Sequence, residues 1–281
     1  MSFFSSKSFF LSLLTSLLLW LSFPGGGAVW PLLLVALVPL LFVLRGVSVR
    51  GSFFCGLSCG LVHFTLLLYW IVIVLGKYGG LAWFISLAAL LLLALYMSLY
   101  FAFFALLARY VLQAFPASFC LWILPALWVG VDWLREVILT GFPWMDLGYA
   151  LFEVPYIIQI ADLVGHHGVT FLVVFDNTCL MLIFSKKHSV LGYLFILVPA
   201  LCLIGGVGIY SKNRFEEVQH AMSATGTSRI SVGIVQGNVD QAVKWSPSQQ
   251  KETVERYLSQ TESLFISGQP SLVVWPETAL P

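Results

Sequence analysis

The chain has 281 residues, 59% of them hydrophobic and 10% charged, with a mean hydropathy of +0.94. Soluble domains carry about 25% charged residues, so this balance excludes an ordinary soluble domain and predicts a polytopic membrane protein. A net charge of +1 offers no basic patch to neutralise phosphates, which removes nucleic acid as a partner.

A membrane-spanning helix needs about 20 mostly apolar residues. Seven stretches qualify in chain order: 9–23, 28–44, 51–75, 81–108, 118–138, 166–184 and 189–209. The first two are short and are separated by a tight turn at Gly25, Gly26 and Gly27. Lys7 ahead of an apolar run also fits a cleavable signal peptide, but the second apolar run follows at once and favours a pass. The fifth stretch carries Asp132 and Arg135. Loop charges orient the bundle. With the N-terminus inside, the inner side collects Lys7, Arg45, Arg50, Arg109, Lys186 and Lys187, against Lys77 and Arg135 outside. Seven passes then place residues 211–281 on the outer side.

Polar groups within the spans have two readings. His63, Asp176 and Asn177 either make hydrogen bonds between helices or line a wet functional cavity; packing is the favoured reading. Gly56 and Gly60 form a GxxxG pair that predicts close helix contact. His166 and His167 invite a metal reading, but neighbours on one continuous helix point to different faces, so no metal is expected. The five cysteines, Cys55, Cys59, Cys120, Cys179 and Cys202, lie in apolar stretches without metal-ligand or disulfide spacing and read as small core residues.

The segment 139–164 is apolar yet broken by Gly141, Pro143, Gly148 and Pro155, which argues against one straight helix. Trp144, Tyr149 and Tyr156 suit a polar–apolar boundary. The segment is expected to lie at the outer membrane interface.

Beyond residue 210 the texture changes. Residues 211–228 are polar and read as a linker. In RISVGIVQGNV, Ile230, Val232 and Ile234 alternate as in a strand. Ser246 then caps a helix with Pro247 at its first position and Gln249 closing a capping box. Val254, Tyr257, Leu258, Thr261, Leu264 and Phe265 give that helix one apolar face. SLVVW, 271–275, reads as a second, fully buried strand. Strand, helix and strand in sequence form a βαβ unit with parallel strands. Glu277 follows at the carboxyl end of the second strand, where such sheets place ligand-contacting residues. Pro276 and Pro281 restrain its backbone, and its carboxylate suits either a general base or a plain surface-loop glutamate.

At this point the residues reach a resemblance. WPETALP resembles the glutamate motif of the nitrilase superfamily, and GIVQGNVDQAVKW is similar to the opening strand and loop of one branch, the apolipoprotein N-acyltransferases. GFPWMDLGYAL at 141–151 and FPGGGAVWPLLLVALVPLLF at 23–42 are similar to that family's membrane portion. The resemblance implies a helical membrane bundle of about seven passes over 1–210, the linker 211–228, and at 229–281 the start of an α/β nitrilase-like sandwich.

It further implies an enzyme of the bacterial inner membrane, with its nitrilase-like portion periplasmic. The family moves an acyl chain from a phospholipid donor to the N-terminal amine of a diacylglyceryl-cysteine apolipoprotein through an enzyme thioester, with no cofactor. Glu277 matches the general base, and Trp245 of the Lys244–Trp245 pair matches a position near the active site. The family's lysine and nucleophilic cysteine lie downstream of its glutamate, so the chain is expected to be an N-terminal piece that is inactive alone. A non-catalytic remnant of such an enzyme is the alternative. A transporter would call for an internal repeat, and the two halves of the sequence share none.

Overall fold

The computed structural model describes residues 5–185, 189–223, 230–240, 247–277 and 279. Two compact units emerge: Met1–Val72 with Trp83–His220, and Ile73–Ala82 with Ala221–Pro281. In chain order the helices are α1 (Ser6–Ser22), a 3₁₀ turn (Trp30–Leu34), α2 (Val38–Leu44), α3 (Val49–Leu67), the short α4 (Trp70–Ile73) and a π turn (Val74–Tyr78). They continue with α5 (Trp83–Ala114), α6 (Ala117–Val137), the short α7 (Pro155–Ile158), α8 (Ala161–Ser185) and α9 (Val190–Ser223). Strand β1 (Val232–Ile234), helix α10 (Pro247–Ser267) and strand β2 (Leu272–Val274) follow.

Five of these helices, α3, α5, α6, α8 and α9, are long and apolar enough to cross a membrane. The first two expected passes form shorter apolar helices, Ser6–Ser22 and Trp30–Leu44. The second is interrupted between Leu34 and Val38, which is why it falls short of a regular span.

Helix α1 inverts the pattern of a soluble core. It buries Ser8, Ser12, Thr15, Ser16, Leu19 and Ser22, while Phe10 and Leu17 face outward. Lipid is as apolar as leucine, so small and polar groups gain more from the helix interface than large apolar ones do. Ser16 Oγ donates to the Cys59 carbonyl (2.9 Å), and Thr15 Oγ1 accepts from the Leu40 amide (3.1 Å). These bonds stitch α1 to α3 and α2.

Gly56 and Gly60 behave as the GxxxG spacing predicts. A Cβ on Gly56 would stand 2.4 Å from the Phe101 carbonyl oxygen, and one on Gly60 would stand 2.8 Å from Ser98 Cα. The backbones of α3 and α5 therefore meet where a side chain would hold them apart. Asn177 serves packing too. Its Nδ2 donates to the Leu33 carbonyl (2.9 Å) and its Oδ1 accepts from the Leu37 amide (2.8 Å). One α8 side chain thus replaces the backbone bonds lost at the break before α2. His63 is buried among the rings of Phe23, Phe64 and Phe101.

Two expectations for this unit need correction. Helix α9 runs on to Ser223, so residues 211–223 extend a helix rather than opening a linker; residues 224–228 lie outside the described residues. Cys202 is exposed, unlike the other four cysteines, because α9 presents almost its whole surface outward.

In the second unit, β1 and β2 pair in parallel, with Val232, Gly233 and Ile234 opposite Leu272, Val273 and Val274. Helix α10 is the crossover, as the strand–helix–strand order predicts. Val235, Tyr257 and Ala279 form its small core, joined by Leu264, Val273 and Trp275. The second strand is not fully buried: Leu272 and Val274 are exposed, because the pleat sends them to the face opposite Val273 and the α10 core. Leu258 and Phe265 are likewise exposed on α10, so the helix buries a narrower stripe than its spacing suggests.

Candidate functional site

Glu277 sits three residues past the end of β2, exposed in a turn. The parallel pairing puts it at the carboxyl edge of the two strands, the ligand-binding edge of such sheets. Its approach is fixed by named contacts. Trp275 Nε1 donates to Thr261 Oγ1 (3.0 Å), and the Trp275 ring lies against Tyr257 with centroids 5.3 Å apart. The Ala279 amide then donates to the Pro276 carbonyl (3.1 Å), closing a turn around Glu277. Gly237 follows β1 at the same edge. A Cβ there would meet Tyr257 Cζ at 2.6 Å, and its carbonyl accepts from Arg256 Nη1 (3.2 Å). Trp245 and the helix cap at Ser246 lie outside the described residues. Helix α10 begins at Pro247, as the sequence predicts for its first position.

A second constellation lies in the membrane unit, where α6 ends, the broken segment passes and α8 starts. Arg135, in the last turn of α6, is buried. It donates Nη1 to the Trp144 carbonyl (2.6 Å) and Nη2 to Asp132 Oδ1 (3.3 Å) and Asp146 Oδ1. The other Asp146 oxygen, Oδ2, is 2.9 Å from His166 Nε2 and 4.0 Å from His167 Nδ1. Glu136 closes the group, with Oε1 3.1 Å from His166 Nε2 and Oε2 3.3 Å from His167 Nε2. Burial pushes the Asp146 carboxyl above the ordinary carboxylate range, against the pull of Arg135 and His166.

The two histidines converge, contrary to the expectation that they diverge. Gly165 has φ 65° and ψ −175°, a conformation open to glycine, and it breaks the first turn of α8. His166 therefore sits at a fresh helix start, its ring centroid 4.1 Å from that of His167 and stacked on Tyr149. The rest of the segment is broken as expected, into 3₁₀ turns at Ile138–Thr140 and Leu147–Leu151 and the short α7. Trp144, Tyr149 and Tyr156 are exposed while Leu147, Ala150 and Leu151 are buried. Asp176 lines an apolar cleft of about 260 Å³ with Leu34, Tyr156, Val173, Ile204 and Ser211.

The sequence profile described as the apolipoprotein N-acyltransferase N-terminal domain matches residues 15–179. The chain belongs to the apolipoprotein N-acyltransferase family. Among curated relatives, the apolipoprotein N-acyltransferase of Geobacter metallireducens is 35% identical across 98% of this chain and 52% of its own length. That of Chlorobaculum tepidum is 30% identical across 98% of the chain and 50% of its own, and that of Vibrio parahaemolyticus 29% across 90% and 47%. The chain spans about half the length of the curated relatives it matches. The profile match takes in the charge cluster of α6 and α8 but stops short of the strand-end glutamate.

Proposed function

We propose that this chain supplies the membrane bundle and the first βαβ unit of an enzyme that N-acylates lipoproteins, with Glu277 as its general base. Family membership supports the enzyme class. The observation that carries the residue assignment is the parallel β1–α10–β2 unit, which sets Glu277 at the carboxyl edge of the sheet. On this reading Glu277 takes the proton of a cysteine thiol contributed from beyond residue 281. The thiolate attacks the ester carbonyl of a phospholipid, a thioester forms and lysophospholipid leaves. The free amine of a diacylglyceryl-cysteine apolipoprotein then attacks the thioester and regenerates the thiol. The intermediate splits one difficult transfer into two easier ones. By the family resemblance Trp245 belongs to the active-site vicinity, the bundle lies in the bacterial inner membrane, and the tail faces the periplasm.

A chimera tests the assignment: residues 1–281 joined to the portion of the Geobacter metallireducens relative that lies beyond the match. The expected result is acyl transfer from labelled phospholipid to a diacylated lipopeptide, abolished by Glu277→Gln with membrane insertion unchanged. The amide keeps the carboxylate's shape but cannot accept the proton. Near-normal turnover by the Gln variant refutes the base assignment. An inserted but inactive unmutated chimera favours a non-catalytic remnant.

A further inference from the structure

Glu136, Asp146, His166 and His167 each offer one ligand atom, and the four atoms lie within 4.8 Å of one another. We propose that these four residues bind a divalent transition-metal ion of the zinc class, which pins the broken interfacial segment to the ends of α6 and α8.

Three observations carry the site. The first is Asp146 Oδ2, on a side chain that is fully buried. Among the described residues it accepts no hydrogen bond, although His166 Nε2 is 2.9 Å away. His166 Nε2 is instead aligned with Glu136 Oε1 (3.1 Å), so the Asp146 oxygen stands unmatched at a distance that two ligands of one cation can share. Zinc–ligand bonds of about 2.0–2.2 Å put tetrahedral ligand atoms about 3.3–3.6 Å apart. Asp146 Oδ2 and Glu136 Oε1 lie 2.9 and 3.1 Å from His166 Nε2, slightly inside that spacing, and the one ligand atom from each of the four residues falls within 4.8 Å of the others.

The second is charge. Among the described residues Arg135 is the one Lys or Arg side chain that pairs into this group, so the three formal negative charges of Asp132, Glu136 and Asp146 meet one fixed positive, a balance of −2. A pair of imidazolium rings 4.1 Å apart would repel each other; a divalent cation restores neutrality without that repulsion. The third is support around the ligands. Arg135 occupies Asp146 Oδ1 and leaves Oδ2 to the cluster, the outer-shell arrangement that orients a ligating carboxylate.

Donor chemistry selects the ion. Two imidazoles with two carboxylates suit zinc and its neighbours, whereas calcium and magnesium take oxygen donors. Four protein ligands close a tetrahedral shell, so the site is structural rather than catalytic. His166 and His167 side chains are 34% and 25% exposed, which leaves an entry path.

The test uses the purified full chain in detergent. Loaded with zinc chloride and desalted, it should retain about one zinc per chain by elemental analysis. Its unfolding temperature should rise over that of chelator-treated protein, and cobalt substitution should give the visible absorption of a tetrahedral site. His166→Gln and Asp146→Asn should each weaken zinc binding more than about 100-fold, since even outer-shell losses cost 10–100-fold. His220→Gln, outside the cluster, should change nothing. These readouts do not involve acyl transfer, so they stand apart from the test of Glu277. Wild-type protein that retains no more zinc than Asp146→Asn, with the same unfolding temperature in zinc and in chelator, overturns the proposal in favour of a metal-free hydrogen-bonded cluster. Zinc retained equally by wild type and both variants overturns it as well.

Discussion

Replacing Asn177 with leucine tests whether one α8 side chain holds the interrupted second hairpin helix together. The substitution keeps the volume but removes three hydrogen bonds, to Leu33 O, Val173 O and Leu37 N. Their losses are unequal. Val173 O is an ordinary helix carbonyl on α8 itself, and Leu33 O still receives the Ala36 amide at 3.5 Å. The Leu37 N–H loses its acceptor in a fully buried position. An orphaned buried donor costs about 1–3 kcal/mol, whereas side-chain bonds between membrane helices average about 0.6 kcal/mol. The orphan therefore dominates, and Asn177→Leu should destabilise the bundle by about 1–3 kcal/mol, a shift of about 5- to 150-fold in the folded-to-unfolded ratio. Equilibrium unfolding in mixed detergent–SDS micelles, followed by tryptophan fluorescence, reads that shift. A variant within about 0.5 kcal/mol of wild type, the range of an inert surface change, would show that the break near Leu37 finds its partners elsewhere.

Gly56→Ala should destabilise the α3–α5 contact by about 1–3 kcal/mol, since its Cβ meets backbone that cannot move aside. Gly130→Ala on α6, where nothing lies within 4 Å, should be neutral or stabilising by up to about 1 kcal/mol; equal effects of the two in the same unfolding assay would refute the packing argument. On the proposed topology, for which the loop-charge bias argues, a phosphatase fused after residue 281 should be active. A reporter signal confined to the cytoplasm would reverse that topology.

What was legible in the sequence followed from patterns that survive folding locally. Apolar run length gave the long helices, the Gly56–Gly60 spacing gave close contact, and strand–helix–strand order gave the parallel pairing that positions Glu277. The errors arose where tertiary context decides. Polar composition marked residues 211–223 as linker, yet they carry helix-forming residues and i,i+3 or i,i+4 pairs such as Arg214–Glu217 and Lys212–Glu216, so α9 continues through them. The apolar run SLVVW read as buried on both faces, but periodicity alone cannot say how many layers cover a strand.

The charge cluster was missed for a different reason. Its members come from three places in the chain, Asp132 to Glu136, Asp146, and the pair His166 and His167, and together they make no motif by spacing. Two local irregularities bring them together: the 3₁₀ turns and bends of 139–154, and the glycine break at Gly165. A reader who places His166 and His167 on an unbroken helix sends their side chains apart. The available signal was Gly165 itself, directly before the pair, together with an acidic residue in a segment too rich in glycine and proline to be a helix. In a membrane bundle, charged residues that cannot reach water must find one another. The productive question for such a sequence is therefore which breaks in the helices let its few charges meet, rather than which charges share a helix face.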